Sequence, residues 1–143
     1  MDDVLNKIGD TKTCTSAIII KNGKILLGLR NYTKENTNHE WKTISVWTTP
    51  GGRCDEGEKI KENLLRETEE ETGIKNMQIE KFLGNVGGAK EGDEVFAFLC
   101  KTDEEAKLME PEKFSEWRWF SPSDIPPNFI NPNIAELIKS NLF

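Results

Sequence analysis

The residues best suited to chemistry are the acids of Arg66-Glu67-Thr68-Glu69-Glu70-Glu71-Thr72-Gly73. On a helix these four glutamates occupy about one and a half turns, and Glu67, Glu70 and Glu71 fall within a sector of roughly 100°. Like charges at these spacings repel by about 0.2–0.5 kcal/mol per pair. In a last turn the helix dipole adds a penalty of about 0.3–1 kcal/mol for each anion. A solvated acidic face is the plain reading, but stability alone would place Lys or Arg here. A hard divalent cation needs such oxygen ligands, and magnesium commonly bridges one or two carboxylates to substrate phosphates. The pattern therefore suits Mg2+, with Mn2+ as a substitute, held between this helix and a diphosphate.

The elements that must position these acids follow from periodicity. Ile60, Leu64 and Thr68 form one stripe, with Leu65 beside it, which predicts a helix over Glu58–Thr72. Gly73 stands where a left-handed C-terminal cap belongs. Thr15–Ile20 and Ile25–Leu29 flank Lys21-Asn22-Gly23-Lys24, a hairpin signal, because Asn and Gly tolerate positive φ. Residues 31–46 read as a long polar loop, of the kind that often carries function. A short strand, Ser45–Thr49, then runs into Pro50-Gly51-Gly52. Further strands are expected at Gln78–Asn85, Glu94–Lys101 and Glu116–Phe120, with a turn or short helix at Ser121–Asp124. A final helix is expected over Ile134–Leu142, with Pro132 just before it. This order predicts an α/β (α+β) fold with a mixed sheet between helices. One of Trp117 and Trp119 is expected to pack inward and the other to lie on the opposite face.

The bulk properties narrow the function. A chain of 143 residues is the size of one domain, 1–143, and its 36% hydrophobic and 31% charged residues suit a folded protein. A formal net charge of −6 argues against a protein that coats DNA or RNA, whereas a metal ion can recruit a small phosphorylated ligand. Cys14, Cys54 and Cys100 match neither a disulfide framework nor a zinc site; reduced thiols are expected, two in strands and Cys54 in a loop. The acidic segment Met1–Asp10 does not resemble a signal peptide, and no run approaches the ~20 apolar residues of a membrane span. The expectation is a soluble, cytoplasmic protein without membrane contact.

Gly52, Glu58, Arg66, Glu67, Glu70, Glu71, Gly73 and Ile74 stand in the order and spacing G-x5-E-x7-R-E-U-x-E-E-x-G-U, where U is bulky and apolar. This segment of 23 residues resembles the Nudix signature, with eight of nine specified positions agreeing. The departure is Thr68, whose hydroxyl is expected to find a partner such as a carbonyl one turn back. The resemblance implies a Nudix-type α/β/α sandwich and a hydrolase that attacks a diphosphate bridge with metal-activated water. It makes Glu67, Glu70 and Glu71 metal ligands, adds the Gly51 carbonyl, and offers Glu67 as general base. Arg66 and Glu58 would support them, and Gly52 would lie at the substrate. Outside the signature the resemblance suggests Glu112, with Glu110 second, as a further metal ligand, and Arg30 as a phosphate contact.

Markers of other subfamilies are absent, such as the tyrosine of dinucleoside polyphosphate hydrolases. The Glu110-Pro111-Glu112-Lys113…Trp pattern and Ile125-Pro126-Pro127 followed by asparagines resemble MutT-like nucleoside-triphosphate pyrophosphohydrolases. That resemblance implies a (possibly oxidised or modified) nucleoside triphosphate cleaved to a monophosphate and pyrophosphate. It makes Asn128, Asn131 or Asn133 a base reader, since a side-chain amide both donates and accepts. Turn and cap chemistry is the plain reading of these asparagines. Trp41 and Trp47 flank the long loop, where an aromatic ring could stack on a base. The alternatives are a nucleotide sugar or capped RNA end as substrate, or a nucleotide-sensing module without catalysis. The partner is a small-molecule nucleotide, and the chain is expected to be a monomer or homodimer.

Overall fold

The computed structural model describes residues 1–31, 45–88, 90–129 and 131–142. Most of the long polar loop, with Trp41, lies outside the described residues. Asn22 at φ 50° and Gly23 at φ 74° make the tight turn joining β1 (Thr13–Lys21) to β2 (Lys24–Asn31). These strands pair only at Ile20↔Ile25 and Lys21↔Lys24, then part. Along one edge of β2 the place of β1 is taken by β3 (Ser45–Thr48), and β6 (Phe114–Phe120) occupies the other edge. On its far side β1 runs parallel to β5 (Glu94–Lys101), which is flanked by antiparallel β4 (Gln78–Gly87). The sheet is mixed and six-stranded, as expected.

The parting of β1 and β2 opens the place where the chemistry sits. The freed edge of β1 is filled by the loop after β3. Ala17 N–H donates to Pro50 C=O (2.8 Å), Thr15 N–H to Gly52 C=O (2.9 Å) and Cys54 N–H to Thr13 C=O (2.8 Å). Gly51, at φ 141°, runs so close to β1 that a Cβ would lie 2.1 Å from Thr15 O. Only glycine fits there.

Alternation along the strands feeds two cores. Ala17, Ile19, Leu26, Phe96 and Phe98 pack on Ile60 and Leu64 of α2 (Ile60–Thr72). Ile18, Ile25, Leu27, Val95 and Ala97 pack on Ile134 and Ile138 of α3 (Pro132–Leu142). The result is the expected α/β/α sandwich. A short α1 (Asp2–Leu5), too brief to leave a periodic signal, adds Leu5 to the α2 core. Cys14 and Cys100 lie in strands and Cys54 in a loop, all as free thiols.

Three expectations need correction. α2 starts at Ile60 rather than Glu58, because Lys59 is extended (ψ 151°) and its N–H is capped by Glu62 Oε1 at 2.9 Å. Trp117 and Trp119 both pack against the α2-side core; residues two apart on a strand share a face. The Thr68 hydroxyl is buried with no hydrogen-bond partner among the described residues; it is Thr72 Oγ1 that donates back one turn, to Thr68 C=O at 2.7 Å. A buried unpaired hydroxyl costs about 1–3 kcal/mol. Thr68→Val keeps the branched shape and removes that group, so it should stabilise the protein by about 1 kcal/mol. Thermal unfolding should then shift upward by about 4 °C, and a lower midpoint would show that the hydroxyl is satisfied.

Candidate active site

α2 presents its acids to the loop that fills the β1 edge. Glu71 is 4% exposed, and its Oε1 accepts Gly51 N–H at 2.9 Å. Burial pushes its carboxyl up to about 8, with Glu67 and Glu110 adding repulsion, while the Gly51 N–H and the Arg30 guanidinium favour the ionised form. Glu67 lies against Gly52, where a Cβ would come within 2.7 Å of its carboxyl carbon. Burial raises its pKa as well; Arg66 opposes this, while Glu70 and Glu110 add to it. The glycines thus let the loop backbone reach two desolvated carboxylates.

Arg66 organises the remaining acids. Its Nε donates to Glu58 Oε2 at 2.6 Å and its Nη2 to Glu58 Oε1 at 3.0 Å. Its Nη1 reaches both oxygens of Glu70 at 3.1 Å and stands 3.3 Å from Glu67 Oε1. Glu58 also accepts from Asp55 N–H and Asn63 Nδ2, so it joins the loop to the helix. The Arg66 guanidinium holds the Glu58 carboxyl down at about 2. A depressed carboxyl stabilises the fold above its ordinary value of 4.5, and that contribution disappears as pH falls through about 2. The side chain is 12% exposed but its Arg66 partner is 32% exposed, so solvent screening reduces the contribution to about 1–2 kcal/mol. Glu58→Gln should lower stability at pH 7 by that order and flatten the acid limb between pH 4.5 and 2. Urea titrations across that range provide the check; an acid limb unchanged by the substitution would contradict the pairing.

Two supports were missed from sequence. Asn63, fully buried, donates through Nδ2 to Arg53 C=O (3.0 Å) and meets Thr15 Oγ1 through Oδ1 at 2.5 Å. A polar residue three positions after Ile60, on the buried stripe, was the available signal. Arg53 makes a bidentate pair with the buried Asp93 (2.8 and 2.7 Å), fastening the loop to the β4–β5 connection. That link is non-local and leaves no mark in a spacing pattern.

Outside the signature the structure reorders the candidates. Glu112 is exposed, whereas Glu110 turns inward, with Oε1 buried and unpaired among the described residues, and its charge acts on Glu67 and Glu71. Of the two, it is Glu110 whose charge is felt at Glu67 and Glu71. Arg30 lies on the α2 side, and its guanidinium stands 5.5 Å from the Phe114 ring. Asn131 is a cap: its Oδ1 accepts Asn133 N–H and its Nδ2 donates to Gly87 C=O, both at 3.0 Å. Asn128 ties the connection before α3 to β3, through Trp47 N–H to its carbonyl (2.9 Å) and Nδ2 to Ser45 C=O (3.3 Å). Both amide atoms of Asn131 are thus bonded to backbone, whereas Asn128 commits only its Nδ2. Trp47 is 8% exposed and packs edge-on to Phe120, which leaves it no free face for a base.

Among the described residues no group of three or more His, Cys, Asp or Glu is gathered tightly enough to hold a metal ion. Arg66 instead pairs with Glu70, and Glu71 Oε1 accepts Gly51 N–H. The donor set nonetheless fits a hard cation, because Glu67 and Glu71 are desolvated oxygen donors crowded by the Glu110 charge, and Glu110 Oε1 has no partner among the described residues. No helix among the described residues is long and apolar enough to cross a membrane.

A family model described as NUDIX domain matches residues 11–140. The RNA pyrophosphohydrolase of Erythrobacter litoralis is 32% identical, over 59% of this chain and 65% of its own. The putative 8-oxo-dGTP diphosphatase of Bacillus subtilis is 32% identical, over 64% of this chain and 60% of its own. The chain thus spans less than two thirds of the length of these curated relatives. Among solved structures, a MutT protein from Methanosarcina mazei superposes with a TM-score of 0.68 at 25% identity, covering 90% of each chain.

Proposed function

The chain belongs to the Nudix family, and from that premise we propose that it hydrolyses a phosphoric anhydride in a nucleoside diphosphate-linked substrate with the help of Mg2+ or Mn2+. The substrate that fits best is a nucleoside triphosphate, canonical or oxidised, giving a monophosphate and pyrophosphate. The observation that carries this reading is the desolvated pair Glu67 and Glu71, set against Gly51–Gly52 with Glu110 beside them and Arg30 in range.

Glu67, Glu71 and Glu110 would hold the cation, joined by Glu70 once it leaves Arg66, with the Gly51 carbonyl as a further oxygen. When bound, the cation lowers the pKa of water and neutralises phosphate charge. Glu67 accepts the proton of the attacking water at a carboxylate oxygen, a role that its place against Gly52 suits. As water oxygen bonds to phosphorus, the bridging P–O bond breaks and its electrons leave with pyrophosphate. Arg30 binds phosphate oxygens, and Arg66 with Glu58 holds α2 and its loop in register. The intact acid set speaks against a sensing module without catalysis. A monomer or homodimer suffices, since every group invoked comes from one chain.

A second reading, cleavage at a phosphorylated RNA end, is favoured by the name of the Erythrobacter relative. A panel of nucleoside triphosphates and a 5′-triphosphorylated RNA oligomer, each with MgCl2, separates the two by product chromatography. Pyrophosphate from the nucleotides supports the first reading, and turnover of RNA alone supports the second. Absence of turnover on either, with nucleotide still bound, would leave a binding module.

A further inference from the structure

Phe114 and Trp117 are three residues apart, so on a regular strand their rings would point to opposite faces. Here the ring centroids are 4.6 Å apart and tilted by 35°. A bulge makes this possible. Gly28 pairs with Trp117 and Leu29 with Glu116, but Arg30 pairs with Phe114, so Ser115 is the extra residue. Its hydroxyl accepts Asn31 Nδ2 at 2.6 Å, and Asn31 N–H donates to Lys113 C=O at 2.9 Å, which pins the bulge from the β2 side. The shift in phase brings Phe114 onto the face shared by Leu26, Gly28 and Arg30.

A column results. Trp117 lies flat on Gly28, where a Cβ would come within 2.6 Å of a ring carbon. Phe114, 1% exposed, leans on Trp117, and the Arg30 guanidinium stands 5.5 Å from the centre of the Phe114 ring. Within about 6 Å an aromatic face attracts a guanidinium and restrains its orientation. From this perch the Arg30 charge acts on Glu71.

We propose that Phe114, brought into phase by the Ser115 bulge and supported by Trp117 on Gly28, is a positioning residue that aims Arg30 at the diphosphate of the substrate. The inference rests on the reading of Arg30 as a phosphate contact. Phe114 touches no substrate; it acts through the guanidinium.

The test is a double-mutant cycle read by calorimetry, with inorganic pyrophosphate titrated into the full chain in MgCl2. Arg30→Ala should weaken pyrophosphate about tenfold or more, the loss of a charge-assisted contact. Phe114→Leu should weaken it about threefold and have no further effect in the Arg30→Ala background. Phe114→Tyr, which keeps the ring, should retain the wild-type Kd. If the leucine variant does not fold, Phe114→Met fills the volume without a π face and takes its place. A normal Kd in Arg30→Ala would overturn the phosphate role of Arg30 itself. A weakened Arg30→Ala with either a normal Phe114→Leu or full additivity would overturn the positioning role alone.

Discussion

Glu67→Gln is expected to lower turnover at least 10²- to 10⁴-fold, the range of a positioned general base, with the fold intact. Glutamine has the same shape, so it can still lie beneath Gly52, where there is no Cβ to obstruct it. The substitution removes basicity and one negative charge from a crowded cluster. Glu67 already carries a raised pKa because it is desolvated, and Glu70 and Glu110 add to the rise. Relieving that crowding should raise thermal stability without metal, although the 3.3 Å contact with Arg66 is weakened. Loss of activity together with retained or increased stability is the signature of a functional carboxylate, since a merely structural one would lose both. Steady-state kinetics on the best substrate of the panel, with melting curves on the same samples, provide the measurement. Turnover close to wild type would remove Glu67 from the base role.

What could be read from sequence was local. Asn22-Gly23 specifies its turn through positive φ, and Ile60 and Leu64 specify the buried side of α2 through a spacing of four. Gly52 to Ile74 could be recognised because all its groups lie on one loop and one helix. The rest depends on where distant segments meet. Glu110 and Glu112 are equivalent as letters; only the path of the chain between β5 and β6 turns the first inward and leaves the second exposed. The asparagines after Pro127 carry the right chemistry for base reading, yet Gly87 and the start of α3 claim the Asn131 amide, and Ser45 takes the Nδ2 of Asn128. The Ser115 bulge breaks the period-two pattern on which any expectation for Phe114 would rest. The early parting of β1 and β2, which makes room for the Gly51 loop, is likewise decided by strand partners far away in sequence.

Glu71 should make metal-free protein less stable as pH rises, and a divalent cation should reverse the trend. Its folded carboxyl titrates at about 8 against an ordinary value of 4.5. Between those limits the folded state retains a proton that the unfolded chain has lost. The unfolded state therefore binds fewer protons, and unfolding free energy falls with pH across this window. The cost is complete above about 8. One pKa unit is worth about 1.4 kcal/mol, so the total is on the order of a few kcal/mol. Glu67, raised in the same direction, steepens the fall. Magnesium binds the ionised carboxylates and releases the retained proton, so its stabilising effect should be larger at pH 8 than at pH 6. Glu71→Gln isolates the group, because its side-chain oxygen can still accept Gly51 N–H while carrying no charge. That variant should be more stable than wild type without metal at pH 8, show a flatter pH profile, and lose most of its response to magnesium. Melting temperatures across pH 5–9, with and without MgCl2, decide the matter. Metal-free stability that rises from pH 6 to 8, or an undiminished magnesium response in Glu71→Gln, would place the cation elsewhere.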